Sequence, residues 1–355
     1  MATRVVIMAG GTGGHVFPAL AVAGWLRERG CEVTWIGTRK GLEARLVPEA
    51  GIPMDWIDAE GVRGRGMLER VKAVYRLAKA FVQALGILRR RKPQVALGLG
   101  GFASAPGGLA AWLLRVPLVI HEQNRVPGTS NRLLAVLARK VLEAFPDSFP
   151  YKAGALCTGN PLRREVAALR EREPRATGAP LKLLVLGGSQ GASALNRLVP
   201  EAAAKLEKSL AIRHQSGAPM YEETRELYAR YGVQAEVTAF IADMAEAYRW
   251  ADVAVCRAGA MTVSELCAAG LPAVLVPFPY AIDDHQTANA RYLADAGAAR
   301  LAPQAGLDAS RLAGWLQEFQ DDAAGLAAMA DAARKLAMRE AARTVGEICL
   351  AEAKA

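Results

Sequence analysis

The sequence predicts an α/β protein built from two open parallel sheets, one in each half of the chain. Three observations predict it. Short β-branched or Leu-rich runs alternate with helical patterns along the 355 residues, the order that builds parallel sheets. A strand, a Gly-rich turn and a helix occur together twice: residues 4–9 with Gly10-Gly11-Thr12-Gly13-Gly14-His15, and 182–186 with Gly187-Gly188-Ser189-Gln190-Gly191-Ala192. Between them lies a highly charged, turn-rich stretch at 170–180 (REREPRATGAP) that separates the two series.

Taken in order, residues 4–9 (RVVIMA) read as a buried strand, followed by the glycines and an apolar helix opening at Pro18. Further strands are expected at 32–36, 54–57, 94–99, 118–121 and 140–142, and a second series at 182–186, 211–215, 235–239, 253–256 and 273–276. The boundary falls between Gly159-Asn160-Pro161 and the charged stretch. The last thirty-odd residues are Ala-rich and helical. Such a helix can pack on its own half or cross back to the first.

With 52% hydrophobic and 22% charged residues, the composition is that of a folded protein. The formal net charge of +9 favours acidic partners: nucleic acid, an anionic membrane surface or a polyanionic substrate. The five cysteines are scattered without a CxxC pair, so reduced core thiols are expected and no metal site. The chain passes straight into a strand without a basic n-region or cleavage site, so no secretory signal is expected. The best apolar stretch, 109–120, is broken by Arg115 and too short to span a bilayer, leaving only a peripheral membrane link.

Glycines let the backbone approach an anion, and a following helix N-terminus offers N–H groups and a positive dipole end. The alternative is a tight strand-to-helix connection without a ligand. The dinucleotide fingerprint fails, because Val16 stands at the third glycine position and the second strand ends in Gly37-Thr38 rather than an acid. No G-x-x-x-x-G-K-[ST] occurs, which argues against a P-loop. A third cluster, Gly98-Leu99-Gly100-Gly101-Phe102, with Pro106-Gly107-Gly108 soon after, and the polar run His121-Glu122-Gln123-Asn124 also fall at strand ends, where open α/β sheets bind ligands.

In the second half, residues 256–265 follow a strand and open a helix. Thr262 and Glu265 have capping-box spacing, yet the same entry could hold a pyrophosphate, with Glu265 on a ribose diol. Arg163 opens an expected helix at 163–173, where two cations, Arg163 and Arg164, oppose the dipole and want an anionic or stacked partner. Gln286 and Asn289 begin another helix, as sugar-binding amides or as ordinary surface residues. Residues 67–92 carry Val71, Val74, Tyr75, Ala78, Phe81, Val82 and Leu85 at helical spacing, interleaved with Arg70, Lys72, Arg76, Lys79 and 89–92 (RRRK). That is either a core-packing helix with a solvated basic face or an interfacial helix on anionic lipid. No nucleic-acid recognition module is visible.

Together, MAGGTGGHVFPALA, LGLGGFASAPGG, VIHEQN, TGNPLR, LGGSQGA and CRAGAMTVSELCAAGLPAVLVPFP resemble the bacterial MurG glycosyltransferases in order and spacing over most of the chain. The resemblance implies a GT-B fold: two Rossmann-like, doubly wound parallel-sheet domains facing a cleft. The expected domains are 1–160, an acceptor domain with a membrane-facing patch completed by a C-terminal helix at 336–355, and 161–335, which binds the nucleotide sugar. It implies transfer of N-acetylglucosamine from UDP-GlcNAc to the C4 hydroxyl of the muramyl sugar of lipid I, an undecaprenyl-linked acceptor, with inversion, giving lipid II for peptidoglycan.

Carried over, the donor contacts are Thr12, Gly13, Gly14, Asn124, Arg163, Ser189, Ile241, Ala260, Met261, Thr262, Val263, Ser264, Glu265 and Gln286. The acceptor diphosphate meets Gly11, Thr12, Gly13, Gly14, His15, Gly100 and Gly101. Phe102 stands where the family often has Tyr, so no phenolic hydroxyl can act there. His15 is the best-matched general base near neutral pH, with Glu122 or His121 as alternatives. No D-x-D occurs, so neither an essential metal nor a cofactor is expected. The implied location is the cytoplasmic face of the bacterial inner membrane, held peripherally by anionic lipids, with cell-wall synthesis and division proteins as further partners and no nucleic acid. Two other readings compete: a UDP-sugar epimerase on the same fold, and a nucleotide-binding scaffold without catalysis.

Overall fold

The computed structural model describes residues 2–59, 67–170, 178–188 and 192–354. It divides into two compact units, Met1–Arg163 with Arg339–Ala355, and Arg164–Met338.

Unit 1 runs β1 (Arg4–Met8), α1 (Gly13–Glu28), β2 (Glu32–Gly37), α2 (Glu43–Glu49), β3 (Met54–Trp56), α3 (Met67–Arg91), β4 (Val95–Gly98), α4 (Ser104–Leu113), β5 (Leu118–Glu122), α5 (Thr129–Leu134), β6 (Lys140–Glu143) and β7 (Leu156–Cys157). The strands form a seven-stranded sheet in the order β3-β2-β1-β4-β5-β6-β7. Its strand pairs are parallel, with Ile7 opposite Trp35 and Met8 opposite Gly98. The winding reverses between β1 and β4, so the helices that follow these two strands, α1 and α4, lie on opposite faces of the sheet, with the crevice of such a switch point at the strands' C-terminal ends.

Both faces of the sheet are covered, which is why its strands are continuously apolar. Successive side chains of β1 point to opposite faces. Val5 and Ile7 pack with Val16, Val22 and Leu26 of α1. Val6 and Met8 pack with Ala84 and Leu88 of α3 and with Ala110 of α4. Each fully buried Val, Leu or Ile contributes about 1.5–3 kcal/mol relative to leaving it in water.

Unit 2 runs α6 (Arg164–Ala167), β8 (Leu181–Leu186), α7 (Ser193–Ala203), β9 (Leu210–Gln215), α8 (Tyr221–Arg230), β10 (Glu236–Thr238), α9 (Met244–Trp250), β11 (Val253–Cys256), α10 (Ala260–Ala269), β12 (Ala273–Leu275), α11 (His285–Ala294), β13 (Ala299–Leu301), α12 (Ala309–Asp321) and α13 (Ala323–Lys335). Its six strands lie in the order β10-β9-β8-β11-β12-β13, reversing between β8 and β11. Leu181, Leu183 and Val185 of β8 pack with Leu195 and Val199 of α7 and with Leu312, Leu316 and Phe319 of α12. Asp243, Asp308 and Asp322 cap α9, α12 and α13 by accepting from Glu246, Arg311 and Gly325 N–H at 2.8 Å each, a contribution of about 0.5–2 kcal/mol per cap.

The last helix, α14 (Ala341–Lys354), belongs to unit 1. Val345 and Cys349 join the α1 side of the sheet, and Gly346 faces Trp25 so closely that an added Cβ would lie 2.4 Å from the indole. The five cysteines are all free.

Several local expectations are corrected. α1 opens at Gly13, not Pro18; Pro18 is buried inside it. The helix expected at 163–173 is the single turn α6, and 171–173 lie outside the described residues. β7 and β13 escape the sequence reading, being short edge strands with no alternating pattern to detect. Gly107 and Gly108 belong to α4, where a Cβ would meet Met8 Sδ at 2.5 Å and Leu134 at 2.7 Å, so they serve close packing. On α3 the expected apolar face divides. Ala80, Ala84, Leu85, Ile87 and Leu88 are buried, whereas Val74, Tyr75 and Val82 remain 68%, 69% and 67% exposed. Among the described residues no helix is long and apolar enough to cross a membrane.

The α1–α14 contact gives a direct expectation. Gly346→Val overpacks the Trp25 contact and lowers the stability of unit 1 by about 1–3 kcal/mol, read as a lower urea midpoint; an unchanged midpoint contradicts this packing.

Candidate functional site

In each unit the Gly-rich turns sit where the winding reverses. In unit 1, β1 runs into Gly10-Gly11 and β4 into Gly100-Gly101. Gly11, Gly100 and Gly101 have φ of +94°, +95° and +78°, the left-handed region that glycine alone enters freely. The two turns touch backbone to backbone, for a Cβ on Gly101 would lie 2.1 Å from the Gly10 carbonyl oxygen. Glu43, fully buried, holds the first turn from below. Its Oε2 accepts from Gly11 N–H at 2.8 Å, and its Oε1 accepts from Thr38 N–H and Oγ1 at 3.0 and 2.8 Å. Ser104 ties the second turn to β1: its Oγ accepts from Gly100 N–H at 2.9 Å and lies 2.6 Å from the Met8 carbonyl.

These supports set the start of α1. Thr12 is its exposed N-cap residue and makes no side-chain cap; its carbonyl accepts from His15 and Val16 N–H at 3.1 and 3.2 Å. His15 is half-buried, its ring resting on Gly100, where a Cβ would lie 3.0 Å from Nδ1 and Cε1. From β5 the chain brings His121, Glu122, Gln123 and Asn124 to the same end of the sheet. Gln123 Oε1 lies 2.8 Å from His15 Nδ1, and Gln123 Nε2 lies 3.0 Å from His121 Nδ1. His121 Nε2 lies 2.9 Å from the Gly159 carbonyl.

His121 is wholly buried, and burial pushes its pKa down to about 4. Both of its ring nitrogens are engaged within the protein. Glu122 is equally occupied. Oε1 accepts from Asn124 N–H at 2.9 Å, and Oε2 from Gly128 N–H at 3.0 Å and Asn131 Nδ2 at 2.9 Å. Its carboxylate thus shapes the loop after β5, with its oxygens turned into the protein. Phe102 stands half in solvent at the edge of the second turn.

In unit 2, β8 leads to Gly187 and Gly188, the latter at φ +77°; Ser189 lies outside the described residues. β11 leads to Arg257-Ala258-Gly259 and then α10. Gly259, extended at φ −64° and ψ 144°, is the N-cap residue. Thr262 is therefore the third helical residue and makes no cap, which overturns the capping-box reading of Thr262 and Glu265. Ala260, Met261 and Thr262 form the first turn, continuing through Val263 and Ser264 to Glu265. Tyr248 Oη donates to Glu265 Oε2 at 2.8 Å, fixing that largely buried carboxylate.

Two amides on α11 clamp the entry to α10. Gln286 Oε1 accepts from Ala258 and Phe278 N–H at 3.2 and 2.9 Å, and Asn289 Nδ2 donates to the Ala258 carbonyl at 3.2 Å. Asn289 is fully buried and structural. Arg257 donates to the Val276 and Pro277 carbonyls at 3.1 Å. Ile241 sits half-buried on the loop between β10 and α9, beside a cavity of about 240 Å³ that Arg213 and Phe240 also line.

Unit 1 thus brings Gly10–His15, Gly100–Gly101 and His121–Asn124 together, and unit 2 brings 258–265 and Gln286 together. Arg163 finds its stacked partner in unit 1, its guanidinium carbon 5.5 Å from the Phe17 ring centre. Sequence reading passed over Glu43 and gave no role to Ser104 and Arg257, although both stand inside motifs it singled out. The role of such a side chain carries no signal until the fold brings the turn it supports beside it.

The profile of the glycosyltransferase family 28 N-terminal domain matches residues 5–143, and that of the C-terminal domain matches residues 182–345. A protein of Methylococcus capsulatus is 59% identical over 356 residues, covering 100% of both chains, and is named UDP-N-acetylglucosamine--N-acetylmuramyl-(pentapeptide) pyrophosphoryl-undecaprenol N-acetylglucosamine transferase. A protein of the same name from Nitrosococcus oceani is 55% identical over 354 residues, with 99% of each chain covered. The crystal structure of Acinetobacter baumannii MurG matches with a TM-score of 0.87 at 42% identity, covering 98% of this chain and 99% of that one. The two parallel-sheet units are those of the GT-B class.

The buried carboxylate under the first turn is directly testable. Glu43→Gln turns an amide N–H₂ toward donors that need an acceptor and costs about 1–3 kcal/mol of stability, measured by urea unfolding; wild-type stability contradicts the role given to Glu43.

Proposed function

The chain belongs to glycosyltransferase family 28, as a member of the MurG family that its motifs resemble, and from that premise we propose that it transfers GlcNAc from UDP-GlcNAc to the C4 hydroxyl of the MurNAc sugar of lipid I, forming lipid II. The observation that carries this reading is the 59% identity, over both full lengths, to a relative bearing that transferase name.

The geometry supports a division of labour. In unit 2 the α10 entry receives the donor pyrophosphate on the first-turn N–H groups of Ala260–Thr262, and Glu265 lies one turn further on for the ribose. In unit 1 the Gly10–His15 and Gly100–Gly101 turns receive the acceptor diphosphate. His15, half-exposed on its Gly100 shelf, takes the proton of the C4 hydroxyl as that oxygen attacks the anomeric carbon. One C–O bond forms while the bond to the UDP phosphate breaks, so the configuration inverts and UDP leaves with the electron pair. The growing charge on UDP is met by the N–H groups and positive dipole end of α10. His121 and Glu122, buried and fully engaged, serve the architecture of the site and leave His15 as the base.

The acceptor is lipid-linked, and unit 1 presents a surface suited to an anionic membrane. Val74, Tyr75, Leu77 and Val82 of α3, and Trp112 and Leu113 of the neighbouring α4, are exposed apolar residues. Arg76 and Lys79 are interleaved with them. This is peripheral attachment, on the cytoplasmic face of the inner membrane.

The reading predicts UDP release from UDP-GlcNAc that depends on an added lipid I analogue. Release without acceptor, accompanied by an epimerised sugar, overturns it in favour of an epimerase. His15→Ala lowers turnover by about 10²–10⁴-fold, the range for a lost general base, with donor affinity near wild type; near-normal turnover removes His15 from that role.

A further inference from the structure

We propose that Gln123 and His121 are positioning residues that fix the proton of neutral His15 on Nδ1 and leave Nε2 as the nitrogen that accepts a proton. The assignment follows by elimination from one group whose role is not in question. The Gly159 carbonyl can only accept, so His121 Nε2, 2.9 Å away, carries a hydrogen. Burial keeps His121 neutral down to about pH 4, so its Nδ1 bears a lone pair. The Gln123 atom 3.0 Å from that lone pair must donate and is therefore the amide nitrogen. The same nitrogen lies 3.0 Å from the His121 carbonyl oxygen, a second acceptor.

With its nitrogen so placed, Gln123 turns its oxygen to His15 Nδ1 at 2.8 Å. An amide oxygen cannot donate, so the hydrogen between them belongs to His15. The opposite amide orientation would set an oxygen against both the His121 carbonyl and its lone pair. Further bonds hold the relay in place: Asn160 Nδ2 donates to the Gln123 carbonyl at 3.1 Å and Asn131 Nδ2 to the His121 carbonyl at 3.1 Å. The backbone carbonyl of Gly159, just after β7, thus sets the tautomer of a side chain on α1 through two intervening residues.

The rate consequence rests on the reading of His15 as the base; the tautomer does not. The test therefore reads both. In the full-length protein labelled with ¹⁵N-histidine, whose four histidines are assigned by single His→Gln variants, the ring ¹⁵N shifts report which nitrogen of neutral His15 is protonated. The wild type shows Nδ1–H. Gln123→Leu releases His15 from that tautomer and lowers turnover at least about 10-fold, with the KM for UDP-GlcNAc near wild type. A wild-type His15 protonated on Nε2, or a Gln123→Leu protein that keeps Nδ1–H, overturns the proposal. Because the wild-type tautomer needs no variant, a misfolded substitution leaves the proposal testable. A shifted tautomer with unchanged turnover upholds the relay and instead removes His15 from the chemistry.

Discussion

The site in unit 1 depends on a contact that admits no side chain. Gly101 approaches the Gly10 carbonyl so closely that a Cβ would stand 2.1 Å from its oxygen. This close approach lets the turns leaving β1 and β4 meet where the sheet reverses its winding. It also places Gly100 as a flat shelf beneath His15. Glycine enters the positive φ of Gly11, Gly100 and Gly101 freely, but holding the two turns in place takes outside support. Glu43 and Ser104 supply it, Glu43 by tying Gly11 to Thr38 beyond β2 and Ser104 by tying Gly100 to Met8 of β1. α1 can then begin two residues after the Gly10-Gly11 turn, with Thr12 as its N-cap residue.

Unit 2 reaches a comparable arrangement by other means. Its reversal lies between β8 and β11, and side chains rather than glycine contacts fix the turn after β11. Gln286 and Asn289 grip Ala258 from one side of α11, and Arg257 anchors the turn to the end of β12. One sheet topology therefore carries two different helix starts. In unit 1 the helix start carries a titratable imidazole; in unit 2 it carries small residues and a buried carboxylate one turn on.

Much of this is legible in the sequence because the strands buried on both faces are continuous apolar runs, and because a Gly-rich turn after such a run marks a strand end. What escapes is decided by tertiary contact. β7, a pair of residues, and β13, with Arg300 at its centre, gain strand geometry only from the sheet edges they join. Pro18 looks like a helix opener by local preference, but the glycines ahead of it are already helical, Gly13 lying where a Cβ would crowd the Phe17 ring at 3.0 Å. Thr262 and Glu265 have the right spacing for a capping box, yet Gly259 starts the helix and Tyr248 takes the carboxylate. His121, Glu122 and Gln123 read alike as polar residues at a strand end. Only the structure separates a half-exposed imidazole on a glycine shelf from the buried groups that hold it.

The central claim is that the two reversal points divide the reaction, with the donor nucleotide on unit 2 and the base on unit 1. Amide hydrogen exchange of the full-length protein, with and without UDP-GlcNAc, tests it most directly. The account predicts slowed exchange at 258–263, where the first turn of α10 meets the pyrophosphate. Protection confined to 10–15, with 258–263 unchanged, would contradict it.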